Sequence, residues 1–251
     1  MRKNIKKISR TLILLIAFFG IWQGLIFCLD LPSYLLPSPL TVLKEMFQER
    51  ALLWRQFCPT LGETLMGFGV AILWGILIAL LLRLSRTLRY WILPVILISQ
   101  AIPTFAIAPF LVIWFGFGLS SKVAVTVFAL FFPITIAFYD GLQRVSVNFL
   151  ALAKAMRAKT FYRLKVLEIP SALPGLASGL RMASVWAPMA AVIGEWVGSS
   201  KGLGFLMLNA NAEADTPLMF SALLVLVIFS IFLYYVVDFV LRKWIFWEGQ
   251  S

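Results

Sequence analysis

At 251 residues, 61% hydrophobic and only 13% charged, the chain is too apolar for a soluble domain, which is nearer half apolar and a quarter charged. Its 22 basic residues outnumber 11 acidic ones for a net charge of +11; with a mean hydropathy of +0.94, that excess points to the inner flanks of membrane spans rather than to nucleic acid. There is no His and only Cys28 and Cys58, so the commonest general base is missing and a zinc site lacks ligands.

Both cysteines are read as packing residues. A span needs about 20 apolar residues, so the chain holds five or six spans and little else. Residues 1–10, MRKNIKKISR, precede an apolar run over 11–29. A signal peptide has a similar outline, but no small-residue cleavage site follows and the run is long for one. Bulky Phe27 before Cys28 argues against a lipoprotein site. An uncleaved first span with a cytoplasmic N-terminus is expected.

Pro32, Pro37 and Pro39 then interrupt the chain. From Ser38 the pattern is amphipathic, with Val42, Leu43, Met46, Phe47 and Leu53 set against Lys44, Glu45, Glu49 and Arg50. Ser38 suits an N-cap and Pro39 the first helical position. A short interfacial helix on the outer surface is expected.

A second span is expected over 60–82, where Gly62, Gly67, Gly69 and Gly75 permit close helix contact. Arg83, Arg86 and Arg89 mark the next loop. The third apolar segment, 91–117, contains Pro94, Pro103 and Pro109 and should be kinked or broken. A fourth span covers 123–142, a fifth 173–197 and a sixth 218–241. Ion pairs of Asp140 with Arg144 and of Asp238 with Arg242 are expected at helical spacing. In the loop before the sixth span, KGLG lacks the Walker pattern and reads as a tight turn. Six spans place both termini on one side. On that topology sixteen of the 22 basic residues lie on the side of the termini and five on the other, with Arg181 near the inner end of the fifth span. This bias makes the termini cytoplasmic.

Between the fourth and fifth spans the polar, basic stretch RVSVNFLALAKAMRAKTFYRLKVLE covers 144–168. Phe149, Leu152, Ala153 and Met156 follow helical spacing. The chain then changes direction over 157–160, and a second short helix over 161–167 leads to Pro170. Two short helices at an angle fit a groove on a partner. An amphipathic loop resting on lipid headgroups fits the same residues.

These residues carry a resemblance. ALAKAMRAKTFYRLKVLEIPSALPGLASGLR resembles the coupling motif of permease subunits of bacterial ABC importers. That motif opens with Glu-Ala-Ala, has a Gly after three further residues, and closes on Leu-Pro. Ala153 falls on the second Ala, and Ile169 with Pro170 on the ending. Ala151 stands where Glu is usual, which removes an acidic group from a helix start. Arg157 stands where Gly is usual and is expected to disfavour a left-handed turn. LLPSPLTVL, QAIPTFAIAPFLVIWFGFG, FFPI and GEWVGSSKGLGFLM are similar to the sulfonate, nitrate and taurine branch. The segment around AVIGEWVG, with LMLNANAEADTPLMF, is most similar to permeases for hydroxymethylpyrimidine, a thiamine precursor.

The resemblance implies an all-α polytopic protein of about six transmembrane helices, one permease domain over 1–251, in the bacterial plasma (inner) membrane. It implies separate ABC ATPase subunits that bind ATP and Mg, a second permease copy, an extracytoplasmic solute-binding protein and membrane lipid as partners. The chain itself would hold no cofactor and do no chemistry. ATPase coupling would fall to Phe149, Leu152, Ala153, Met156, Arg157, Ala158, Phe161, Leu164 and Pro170. The implied cargo is hydroxymethylpyrimidine or a related precursor, with sulfonate, taurine or nitrate as the alternative.

Polar groups inside spans are functional candidates. Gln100 lies in the Pro-interrupted segment, Glu195 near the outer end of the fifth span, and Asn209 in the last outer loop. With Phe105, Trp186 and Trp196 they offer an aromatic wall and a few polar partners suited to a pyrimidine. Ordinary packing competes for each aromatic, and structural contact with backbone amides or a neighbouring helix for Glu195. A rival from another class, an ATPase-independent secondary transporter, would show inverted repeats and a buried ionisable relay; the sequence offers only Glu195 toward that.

Overall fold

A computed structural model describes the backbone of residues 2–245 and the side chains from residue 13 onward except 14, 15 and 18. Among the described residues every regular element is helical. The expectations for the basic side chains of residues 1–10 lie outside the described residues.

Helix α1 covers Arg2–Leu29, and its described apolar part is Phe19–Leu29. Helix α2, Pro39–Gln48, begins as the sequence predicts: Ser38 Oγ accepts from the Thr41 amide at 3.1 Å. It stops at Glu49, however, so Arg50 and Leu53 belong to the next helix. Helix α3, Arg50–Leu84, is 35 residues long, well beyond the 60–82 anticipated, because only Pro59 interrupts its helix-forming residues. Ser85 then turns the chain and caps α4, Arg86–Ser99, with Oγ accepting from Leu88 at 3.3 Å.

The third apolar segment is broken rather than kinked. Helix α4 meets α5, Thr104–Phe115, at 108°. The amides of Gln100, Ala101 and Ile102 reach back only three residues, at 3.3, 2.9 and 3.3 Å. The winding tightens and then stops at Pro103, which has no amide to donate and disfavours helix in the residue before it.

Helix α6 covers Leu119–Gln143. After two short helices, α7 (Val147–Ala155) and α8 (Thr160–Arg163), one wide π turn at Leu164–Glu168 runs straight into α9, Ile169–Gly198. The second short helix of the sequence reading therefore merges with the span, and Pro170 lies in the first turn of α9. Helix α10, Leu203–Ala212, fills what reads in sequence as loop, and α11 covers Thr216–Trp244. Among the described residues four helical stretches are long and apolar enough to cross a membrane, and the bent α4–α5 pair, counted as one span, makes a fifth.

Helix α9 is the hub. It runs antiparallel to α3, α6 and α11 and shares with them a core of Leu82, Leu130, Ile134, Phe138, Leu176, Leu180, Ala187 and Phe229. Small residues set the spacing. A Cβ on Gly141 would stand 2.9 Å from Ala172 backbone, and one on Gly175 2.9 Å from the Ala137 carbonyl. In lipid, apolar burial gives little drive for helices to associate, so such close backbone packing carries the association. Gly67 and Gly75 serve the α3–α6 contact in the same way, whereas Gly62 and Gly69 face open space. Cys28 and Cys58 are exposed on the surface of the bundle rather than packed.

Candidate functional site

The two ends of the bundle are built differently. At one end α7 and α8 form the loop marked by the sequence. Ser146 caps α7, with Oγ accepting from the Phe149 amide at 3.4 Å. The helix closes on a double hydrogen bond, Ala158 N–H to Ala153 and Arg157 N–H to Lys154, both 2.9 Å. That closure requires a left-handed residue, and Arg157 takes the role with φ +57°. The left-handed turn therefore forms despite the missing Gly, at a cost of about 1 kcal/mol.

Phe149, Leu152, Met156 and Phe161 all project from the loop and are exposed. Val147, Tyr162 and Val166 join them, a wider apolar face than the sequence suggested. Ala153 and Leu164, expected on the same surface, are turned inward and buried. Leu164 packs into the main core with Leu142 and Ala172; it anchors the loop. Ala158 and Pro170 are half-buried.

Beneath this face lies a carboxylate that sequence reasoning missed. Glu168 is 1% exposed. Arg83, at the end of α3, grips it through Nε at 2.7 Å and Nη2 at 2.9 Å, and Arg163 of α8 donates Nε at 2.9 Å. The available signal was its isolation: Glu168 is the only acidic residue between Asp140 and Glu195, amid seven basic ones. Asp238 is held similarly, by Arg181 and Arg242 at 2.8 Å each. The pair with Arg242 was expected and the one with Arg181 was not. No ion pair joins Asp140 to Arg144 among the described residues.

At the opposite end, Glu195 is also 1% exposed. It accepts from Thr60 Oγ1 at 2.6 Å and from the Gly204 amide at 2.5 Å. Thr60 Oγ1 in turn accepts from Leu203 N–H at 2.8 Å, and Gln56 accepts from Gly202 N–H at 2.8 Å. Glu195 thus caps the N-terminus of α10, where free amides and the helix dipole favour an anion. Gly202, at φ +115°, leaves no room for a Cβ beside that carboxylate. The KGLG turn is tight, as read, and its amides are occupied from within the chain. Next to it, Lys122 Nζ donates to Glu63 at 2.8 Å and to Ser199 at 2.6 Å, with both charged side chains under a tenth exposed. Glu63 and Lys122 also escaped the sequence reading, although an acid inside an apolar span is itself a signal.

The remaining pathway candidates sit elsewhere. Trp186 and Trp196 lie on the exposed face of α9 together with Ser178, Met182, Val185 and Met189. Gln100 is exposed at the α4–α5 break, Phe105 on α5 and Asn209 on α10. Glu195 points away from this face, into its cap. Outside the spans, partial burial pushes the Glu45 carboxyl of α2 above its ordinary value; the carboxylates of Asp215 and Glu49 add to that and Lys44 opposes it.

Residues 71–244 match the family described as the binding-protein-dependent transport system inner membrane component. A "Probable ABC transporter permease protein" of Haemophilus influenzae is 44% identical over 239 residues, 95% of this chain and 98% of that protein. The "Formylaminopyrimidine transport permease protein ThiX" of Halalkalibacterium halodurans is 37% identical over 79% of this chain and 80% of its own. Among solved structures, the MetNI methionine ABC transporter in an inward-facing conformation aligns with a TM-score of 0.66 at 20% identity, over 78% of this chain and 97% of that one. With its continuous match from α3 to the end of α11, its helical bundle and its exposed two-helix loop, the chain belongs to the family of inner-membrane components of binding-protein-dependent transport systems, the permease subunits of ABC importers.

Proposed function

We propose that this permease imports hydroxymethylpyrimidine or a related thiamine precursor. Two identical copies would form the pathway, separate ATPase subunits would bind ATP and Mg, and an external solute-binding protein would deliver the cargo. The observation that carries the substrate is the relative named for formylaminopyrimidine, 37% identical over about four-fifths of both chains. The exposed aromatic residues Trp186, Trp196 and Phe105, with Gln100 and Asn209 as polar partners, suit a flat nitrogen heterocycle. The face of α9 that carries Trp186 and Trp196 is exposed among the described residues and would meet the second copy across the pathway. A second reading has support of its own: the "Riboflavin transport system permease protein RibX" of Chloroflexus aurantiacus is 35% identical over 96% of this chain. Relatives named for sulfonates and taurine stand at 25% and 26%, a weaker case for those cargoes.

In this reading α7 and α8 face the cytoplasm, as do both termini, and Phe149, Leu152, Met156 and Phe161 dock on the ATPase. Nucleotide-driven closure of the ATPase pair presses on the loop and turns the pathway outward; hydrolysis resets it. The test is ATP-dependent uptake by proteoliposomes holding the permease, its ATPase and its binding protein. Uptake of hydroxymethylpyrimidine supports the proposal. Uptake confined to riboflavin, or to taurine and alkanesulfonates, replaces the substrate and keeps the importer.

A further inference from the structure

The docking face has to be attached to the spans through something firm, and few contacts cross that junction. Among the described residues the loop is anchored by the buried apolar Ala153 and Leu164 and by the buried Glu168 carboxylate. Three elements converge on that carboxylate: Arg83 ends α3, Arg163 ends α8, and Glu168 itself closes the π turn that becomes α9. A π turn carries one residue more per turn than its helix and is often found at functional sites. Here it lies between the loop and the hub helix. Arg83 grips both carboxylate oxygens, which fixes direction as well as distance. Arg163 shares one of them and is held through a single nitrogen. The two guanidiniums are about a fifth exposed, so the clasp lies where the bundle meets solvent.

We propose that the Arg83–Glu168–Arg163 clasp is the positioning joint of the coupling loop, through which movement of α7 and α8 is passed to α3 and α9 together. This rests on the reading of the loop as the ATPase dock. Arg83 keeps α3 and α9 in step, and Arg163 ties the docking helices to that pair. A loop without the clasp would still present Phe149, Leu152, Met156 and Phe161, but its displacement would be absorbed at the π turn.

The decisive measurement is solute moved per ATP hydrolysed by the reconstituted complex, alongside retention of the ATPase on purification. Glu168→Gln keeps the shape of the side chain and removes its charge. We expect it to retain the ATPase while solute moved per ATP falls at least tenfold. Arg163→Met leaves the Arg83 grip in place and should fall about threefold; it stands in if Glu168→Gln fails to fold. Arg163→Lys, which keeps a cation at the clasp, should recover part of that loss. A ratio within twofold of the parent in assembled Glu168→Gln or Arg163→Met complexes overturns the joint, even if their melting temperatures drop. The docking reading fails separately, if Met156→Asp with Phe161→Asp still retains the ATPase.

Discussion

Glu168 and Glu195 stand near opposite ends of α9, each 1% exposed, and they are held by opposite means. Glu168 lies between two guanidiniums that belong to different elements, at the edge of the bundle. Glu195 sits between the Thr60 hydroxyl and the Gly204 amide in the interior, against a glycine with no spare volume. Cations on long side chains can follow a carboxylate that shifts, whereas amides at a helix start cannot. One end is suited to being moved and the other to holding still. The ion pair of Lys122 with Glu63 adds a second tie at the quiet end, one that its burial on both sides keeps from following a displaced partner.

The largest effect should come from breaking that tie. Lys122→Met strands Glu63 in the interior and should lower unfolding free energy by about 3–5 kcal/mol, read as thermal unfolding in detergent. Replacing Glu63 by Met as well should restore most of it. A harmless Lys122→Met would mean that the quiet end is not the firmer one. Gly202→Ala should cost about 3 kcal/mol by driving a methyl into the Glu195 carboxylate, visible in the same melt.

At the other end stability should hardly move while binding collapses. Phe161→Asp alone should weaken ATPase retention by about 2 kcal/mol, roughly thirtyfold, without changing the permease melting temperature. Arg157→Gly goes the opposite way. It relieves the left-handed strain and should stabilise the loop by about 1 kcal/mol, detectable as slower hydrogen exchange over α7. The smallest effect belongs to Glu45. Its folded carboxyl titrates above the ordinary value, so the fold binds a proton more readily than the unfolded chain. Stability contributed by that proton is present at low pH and lost as pH rises through the carboxylate range. Glu45→Gln should therefore raise the melting temperature at pH 7 by at most about 2 °C, with no gain at pH 4.

Much of this architecture is legible in the sequence because lipid imposes a simple code. Length and hydropathy place α6, α9 and α11 within a few residues of their ends. The Ser38–Pro39 cap and the family motif locate α2 and the two-helix loop. What escaped depends on partners distant in sequence. Glu168 and Arg83 are 85 residues apart, and Glu63 and Lys122 are 59 apart; neither pairing has a local signature. Glu195 was found as an unusual residue, and contact with backbone amides or a neighbouring helix was one reading of it; the donors themselves, Gly204 and Thr60, could not be named, since the cap comes from a turn and a helix that look like loop. Arg157 was read as a misfit for a left-handed turn. The two hydrogen bonds that close α7 outweigh that preference.

Glu168 and Glu195 also make α9 a measured length. Both ends of this strut are fastened to α3, through Arg83 at one and Thr60 at the other. About 40 Å of helix separates the fastenings, at about 1.5 Å per residue. A single inserted residue between them would swing the far carboxylate by about 100° around the helix axis and carry it about 1.5 Å along, away from Thr60 and from the amides it caps. The spacing of the two acids is therefore as much a constraint on this chain as their identity. The exposed positions of α9 are open to substitution, whereas its packed glycines are not, and insertions and deletions are excluded along its whole length.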